Sequence, residues 1–473
     1  MKTIAANIAV WNDTPGMLRL VSLLRPFVDE IVIVHDGPCS NSGLKQARKL
    51  GADVVFVLKE RTGMPEDAKR VALALSESDW VFCLDTDEAV TPELLVDLHK
   101  IIDEHPDALT FNIRLHNFYA GKFWSENWPN RLSRVTTDMQ LPSMLHVGYN
   151  FSGSESFVGY KLEQEQYRID HNPDPQSYAK EKNARYNRIN LHLLDKFSDA
   201  PLLINHILDC VGGNQNIREE LQKRGYYFDE ESKRYIPPEK PIHPARTLAA
   251  QVIVHNEAER LSSLLPQLHR FHELVIVSDG VPDRATKAIA REKGAKLFQT
   301  RQEYHHAAPA RRLGISLTKS DWFFVIDPDE EPSEALLDSL EALIAKPHCC
   351  AYKVPVHHYL DDILIRTDFQ LRLVRLTPFV QWSPLPHSGP EALGLSGLEI
   401  HYCAENLFID HRHTSDYIEG SHARFSTVVN NLMGHYNDLP RARGHLIDCA
   451  SHYAASREYF LQQGWVEAWP ESS

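Results

Sequence analysis

The sequence predicts an α/β protein made of two tandem Rossmann-like domains, each a mostly parallel sheet with helices on both faces. Three observations carry this. The chain repeats itself at an almost constant offset, short apolar runs alternate with stretches of helical spacing, and a proline-rich segment falls where one copy would end. At 473 residues the chain exceeds one core of the usual ~100–200 residues, and two domains account for its length.

The first strand candidate opens the repeat: Thr3 to Asp13 (TIAANIAVWND) matches Thr247 to Glu257 (TLAAQVIVHNE). In the second copy Leu261, Leu264, Leu265 and Leu268 follow at helical spacing and predict a helix between the first and second strands. The second strand, Glu30 to His35, ends in Asp36-Gly37 as Glu273 to Ser278 ends in Asp279-Gly280. Val54 to Val57 supplies a third strand, and Ala68-Lys69-Arg70 matches Ala310-Arg311-Arg312. Trp80 to Leu84 and Trp322 to Ile326 are near-continuously apolar, as strands of a sheet covered on both faces should be. Each runs into an acidic turn, Asp85-Thr86-Asp87-Glu88 or Asp327-Pro328-Asp329-Glu330. Helices then start at Thr91-Pro92 and at Ser333-Glu334, so the aspartates are not needed as caps.

Further along, Arg131 and Arg134 match Arg372 and Arg375, His146 matches His387, and Ile169-Asp170-His171 matches Ile409-Asp410-His411. The tails agree as well, with His206 to Cys210 matched by His445 to Cys449. Residues 1–234 and 247–473 are therefore read as the two domains. Residues 235–246, which carry four prolines, form the stiff linker between them.

Composition narrows the function. A formal net charge of −14 gives no basic footprint for nucleic acid and repels an anionic membrane. No apolar run approaches the ~20 residues of a membrane span, and no cleavable leader precedes the first strand, so the expected location is the cytoplasm. The seven cysteines form no CxxC pair and are expected to be buried or incidental thiols.

Two carboxylates at a strand end can face one space, and hard oxygen ligands with open positions suit Mg²⁺ or Mn²⁺ shared with a diphosphate. One Asp-x-Asp alone is a common surface turn; after an apolar strand twice in one chain it is a site. With the strand-Asn-Glu opening, the Asp-Gly strand end, the Ala-Arg-Arg segment and Asp-Trp-x-x-x-x-Asp-x-Asp-Glu, the chain resembles the inverting family 2 glycosyltransferases of the GT-A fold. The likeness extends to their bacterial lipopolysaccharide-core and cell-surface glycan members, and covers roughly the first half of each copy.

That resemblance implies a nucleotide-sugar donor, most simply a UDP-sugar, a glycan or glycolipid acceptor, and Mn²⁺ or Mg²⁺. It implies that Asp36 and Asp279 contact nucleobase or ribose, with Asn12 or Asn256 in the same pocket. Lys69, Arg70, Arg311 and Arg312 would approach the nucleotide or its phosphates, and Asp85 and Asp327 the ribose or metal-bound water. Asp87 and Asp329 would ligate the metal. His171 and His411 are candidates to ligate metal, contact diphosphate or hold a loop. Inverting transfer also needs a base for the acceptor hydroxyl. The family's downstream Glu-Asp pair is missing here, which leaves Glu155 and Glu391, out of register with each other, as candidates.

Phe118, Tyr119, Phe123, Trp124 and Trp128 are open to two readings, stacking on acceptor sugars or core packing. The second copy lacks the tryptophans. Two functional schemes remain: both copies transfer sugar, or one is catalytic and the other binds acceptor or makes a homo-oligomer contact. A nucleotidyltransferase would need a glycine-rich loop with a lysine near the first strand, which the sequence lacks.

Overall fold

The computed structural model describes residues 2–466 apart from 12, 40, 137–138, 142–149, 152–157, 173–174, 201–202, 206, 209–214, 230–233, 237–245, 384, 387–388, 392–397, 437 and 464. The fold divides into two units, Met1–His243 and Pro244–Ser473. Unit 1 runs β1 (Ile4–Val10), α1 (Thr14–Leu24), β2 (Glu30–His35), α2 (Asn41–Lys49), β3 (Val54–Val57), α3 (Pro65–Leu75), β4 (Trp80–Asp85), β5 (Glu88–Val90) and α4 (Pro92–Glu104). Then come β6 (Thr110–Tyr119), β7 (Lys122–Asn127), β8 (Asn130–Arg134), β9 (Met139–Gln140), β10 (Asn150–Phe151), β11 (Gly159–Leu162), β12 (Arg168–His171) and α5 (Pro175–Lys196). It closes with α6 (Gln215–Lys223), β13 (Tyr227–Asp229) and β14 (Arg234–Ile236).

Unit 2 follows with β15 (Leu248–Val254), α7 (Ala258–Leu264), β16 (Glu273–Ser278), α8 (Arg284–Glu292), β17 (Lys296–Gln299), α9 (Ala307–Leu317), β18 (Trp322–Ile326), β19 (Glu330–Pro332) and α10 (Glu334–Ala345). Its second half has β20 (Cys349–Leu360), β21 (Ile363–Arg375), β22 (Gln381–Trp382), β23 (Pro390–Glu391), β24 (Glu399–Tyr402), β25 (Ile409–His413) and helices α11 (Ser415–Tyr436), α12 (Pro440–Ser451) and α13 (Ala454–Gln462).

The two sheets have the same strand order, β3-β2-β1-β4-β8-β6-β12-β5 and β17-β16-β15-β18-β21-β20-β25-β19. The first four strands of each are parallel. Beyond them β8 and β21 run antiparallel to both neighbours, so the parallel character holds for the first half of each copy and gives way to a mixed sheet after it. β1, β4, β15 and β18 are buried almost throughout, which explains their unbroken apolar sequences. Each unit has its own apolar core, with Trp80 and Phe111 in one and Trp322 and Phe324 in the other.

Several matched residues serve the scaffold. Asp79 accepts from Thr3 N and Oγ1, and Asp321 likewise from Thr247. Ser78 and Ser320 donate to Glu30 and Glu273. The Ser-Asp-Trp repeat therefore ties the starts of the parallel strands together. Gln251, wholly buried in β15, donates to Arg311 O at 3.2 Å while Arg311 Nη1 donates back to Gln251 O. α9 can approach that closely because Gly314 faces Gln251, where a Cβ would stand 2.1 Å from Nε2.

The leucine stripe of the second copy is buried as expected, but Pro266 lacks the N–H an α-helix needs, and Leu265–Leu268 form a 3₁₀ turn after α7. Tyr235 and Ile236, placed in the linker by sequence, pair with Phe228 and Tyr227 in the β13–β14 hairpin, because aromatic and β-branched residues suit a strand. Residues 237–245 lie outside the described part. The six described cysteines are free thiols.

Candidate functional site

The acidic turns leave β4 and β18 at their carboxyl ends. In each, the glutamate folds back beneath the turn: Asp85 N donates to Glu88 at 2.9 Å, and Asp327 N to Glu330 at 2.8 Å. Glu88 and Glu330 are buried, and each is paired with an arginine from the antiparallel strand, Arg131 of β8 or Arg372 of β21. The same guanidinium groups stand 3.4 Å from Asp85 and 3.8 Å from Asp327. A second cation closes on each first aspartate, Lys69 at 2.9 Å from Asp85 and Arg311 on Asp327. Burial alone would raise the Asp85 carboxyl, but Lys69 and Arg131 hold it well below the usual range. Burial pushes Glu88 and Glu330 up, against the pull of their arginines.

The second aspartate of each turn faces histidine instead. His171 Nε2 lies 3.2 Å from Asp87, while its Nδ1 meets Asn117 Oδ1 at 2.9 Å. The Asn117 amide is oriented by donating to Asn127 Oδ1, which leaves Asn117 Oδ1 to accept from His171 Nδ1 and turns Nε2 toward the carboxylate. In unit 2, His411 Nε2 is 3.5 Å from Asp329 Oδ2, His413 Nδ1 is 3.9 Å and Arg260 Nη1 is 3.6 Å. His411 Nδ1 is buried without a hydrogen-bond partner. Burial lowers the basicity of His411, yet the carboxylates of Asp329 and Glu330 outweigh it and raise its pKa. An imidazole nitrogen beside a carboxylate at a strand end, found at both turns and with His411 Nδ1 orphaned in unit 2, is a ligand pair that could hold a divalent cation.

Lys69 and Arg311 are thus brought to the turns, as partners of the first aspartates. Arg70 and Arg312 lie one position further along the same helices; Arg312 is buried. Asp36 and Asp279 sit at the ends of β2 and β16, and each carboxylate holds the loop after the third strand. Asp36 accepts from Thr62 N and Gly63 N, and Asp279 from Tyr304 N and His305 N. Asn256 is exposed in a left-handed conformation, φ 56°, which asparagine tolerates better than most residues. Trp11, beside it in the pattern, lies under the guanidinium groups of Arg61 and Arg185 at 4.4 and 4.8 Å, whereas its counterpart His255 pairs with Glu303 at 2.8 Å.

Asn12, His146, Glu155 and His387 lie outside the described residues. Glu391 pairs with Gln381 in the β22–β23 ladder, and its side chain is outside the described part. The aromatic run is not core: Phe123 and Trp124 are 57% and 71% exposed on the β6–β7 hairpin. Trp128 packs under Arg114 and Lys161.

Sequence reasoning missed the roles of Arg131, Arg372, Glu88 and Glu330, although all four were matched between the copies. It missed Asn117, His358 and His413 altogether; the strand pairing that sets them beside His171 and His411 is what reveals them.

The family model described as Glycosyl transferase family 2 matches residues 8–158 and 251–388. A TPR repeat-containing protein of Synechococcus elongatus is 36% identical over 104 residues, 22% of this chain and 25% of that protein. An uncharacterized glycosyltransferase of Rickettsia felis is 32% identical over 98 residues, 21% of this chain and 34% of the relative. The chain therefore spans only a quarter to a third of these relatives. Among solved structures, S. aureus TarS 1-349 in complex with UDP-GlcNAc is similar at 12% identity, over 46% of this chain and 75% of that one, with a TM-score of 0.30. A likeness of that size carries no structural conclusion. No helix among the described residues is long and apolar enough to cross a membrane.

Proposed function

The chain belongs to glycosyl transferase family 2, and from that premise we propose that it transfers a sugar from a nucleotide-sugar donor, most simply a UDP-sugar, to a glycan or glycolipid acceptor. The observation that carries the reading is the second aspartate of each acidic turn, set beside a histidine at the carboxyl end of a central strand, with the first aspartate locked by two cations. Asp87 with His171 and Asp329 with His411 would hold Mn²⁺ or Mg²⁺, which when bound neutralises the leaving diphosphate.

The protein's own groups divide the rest of the work. Lys69 and Arg131 hold Asp85, and Arg311 and Arg372 hold Asp327, in ion pairs that would orient these carboxylates toward ribose hydroxyls or metal-bound water. Asp36 and Asp279 hold the loop proposed to line the base pocket, Asn256 and its sequence counterpart Asn12 are proposed to contact the same nucleoside, and Arg70 and Arg312 to approach the nucleotide or its phosphates. Glu155 and Glu391 are the proposed bases for the acceptor hydroxyl. Residues 1–234 and 247–473 are the two proposed transferase domains, joined through 235–246. The exposed Phe123 and Trp124 offer sugar-stacking faces for an acceptor in cell-surface glycan synthesis, at a cytoplasmic location. A second reading, in which only one domain transfers, is favoured by the unequal histidine sets at the two turns.

Calorimetric titration of UDP with Mn²⁺, with GDP as control, tests this. Two sites are expected in the intact protein, with Asp87→Ala and Asp329→Ala each removing one. One site lost with a single substitution selects the second reading; no metal-dependent nucleotide binding overturns both.

A further inference from the structure

The histidine set of unit 2 is larger than a donor-metal pair requires. β25 presents His411 and His413 on one face, since residues two apart in a strand point the same way. β20 runs parallel beside it, and its His358 stands directly opposite His411. The three side chains each offer a ligand atom, and these atoms lie within 4.8 Å of one another. The rings of His411 and His413 are 3.9 Å apart between centroids, and those of His358 and His411 5.3 Å. Asp329 Oδ2 faces two of them. His358 is 5% exposed and anchored through Nε2 by Asp368 at 3.1 Å, the carboxylate–histidine support that orients metal-binding imidazoles.

Among the described residues, unit 1 shows none of this excess. At the register of His358 it carries Asn117, opposite His171, and two residues beyond His171 the sequence has Pro173 in place of a histidine. Asn117 hydrogen-bonds its histidine, whereas His411 Nδ1 is left buried and unsatisfied. Three imidazoles packed together, one of them with a buried ring nitrogen that has no hydrogen-bond partner, are costly as a purely structural device, because that nitrogen forfeits its hydration. A cation meets all three at once.

We propose that His358, His411 and His413, with Asp329, form a nitrogen-rich site for a borderline transition-metal ion such as Zn²⁺ or Co²⁺, and that unit 1 has no equivalent. Imidazole nitrogens favour such ions, whereas a carboxylate with water and phosphate oxygens favours Mg²⁺ or Mn²⁺. The inference rests on the reading of Asp329 as a metal-facing residue and adds His358 and His413 to it. Its consequence is that the two units differ in metal preference. Unit 2 holds its ion without nucleotide, while the Asp87–His171 pair of unit 1 needs the diphosphate to complete its ligands.

The full-length chain, stripped with a chelator, is titrated with Co²⁺ alone and followed by visible absorption, with Zn²⁺ as competitor. One equivalent per chain is expected, giving a band displaced by Zn²⁺ and unchanged in Asp87→Ala and His171→Ala. His358→Asn, which installs the residue of unit 1, and His413→Gln should each weaken binding by more than about 10-fold, the lower bound seen even for outer-shell losses. A missing band, or one insensitive to both substitutions, overturns the proposal. X-ray absorption of the Zn²⁺-loaded wild type needs no variant: three imidazole nitrogens support the site and one overturns it. UDP binding with Mn²⁺, measured on the same preparation, separates the two readings. Nucleotide binding without the Co²⁺ band refutes this inference alone, and the band without nucleotide binding refutes the transferase reading alone.

Discussion

Glu66 shows how differently two carboxylates that feel the charge of one lysine, Lys69, can behave. It sits in the first turn of α3 with Oε2 buried and without a hydrogen-bond partner, and burial pushes its carboxyl up to about 7 although Lys69 pulls it down. Asp85, doubly paired, is shifted the other way. The signs follow from linkage. Between its unfolded value of 4.5 and about 7, folded Glu66 binds more protons than unfolded Glu66. Stability therefore falls as pH rises through that window, and the full penalty is present above it. For Asp85 the contribution is present at neutral pH and lost in acid, below its unfolded value. Glu66→Gln should stabilise the protein at pH 8 by about 1–3 kcal/mol and leave it unchanged at pH 4. Urea denaturation at the two pH values decides it, and an equal effect at both would sink the assignment. The matched position in unit 2 is Ala308, so this particular contribution belongs to unit 1.

At the scale of an element, the loop after β3 is held from two sides. Gly37, with φ 90°, follows the Asp36 that binds Thr62 and Gly63, and a Cβ there would meet Arg61 Cβ at 2.8 Å and its Cα at 3.0 Å. Gly121 also has positive φ, 75°, but nothing stands within 4 Å of its would-be Cβ. Gly121→Ala should cost about 1 kcal/mol, for backbone strain alone. Gly37→Ala should cost roughly 2–3 kcal/mol, because the loop must also move, and should weaken UDP binding. Equal costs in denaturation would show that the loop yields freely. Such elements also mark what the sequence could tell. Asp85 and Asp87 were legible because two carboxylates on one turn are a local fact, repeated at Asp327 and Asp329. The strands were legible because burial on both faces leaves continuous apolar runs. Arg131 and His358 were not, since each reaches the turn only through the pairing of strands far apart in sequence. The loop partners of Asp36 are backbone N–H groups, which no side-chain pattern encodes.

At the scale of the molecule, the shared strand order is an argument about autonomy. The cluster around Trp80, Phe82 and Phe111 lies wholly within Met1–His243, and that around Trp322, Phe324 and Tyr352 wholly within Pro244–Ser473. Each sheet has all the strands of the other's main path, so neither borrows a strand to complete itself. A chain segment of this length with a complete sheet and its own apolar core has what independent folding requires. Residues 1–243 and 244–473, expressed separately, should each melt cooperatively with native near-UV circular dichroism. Loss of tertiary signal with retained helix in either half would mean that its packing depends on the other, as in a molten state. The halves also divide the chemistry: the 244–473 piece should bind Co²⁺ without nucleotide, and the 1–243 piece should bind Mn²⁺ only together with UDP. Tight nucleotide-free Co²⁺ binding by the first piece would show that the single Asp87–His171 pair suffices, and that the added histidines of unit 2 serve some other end.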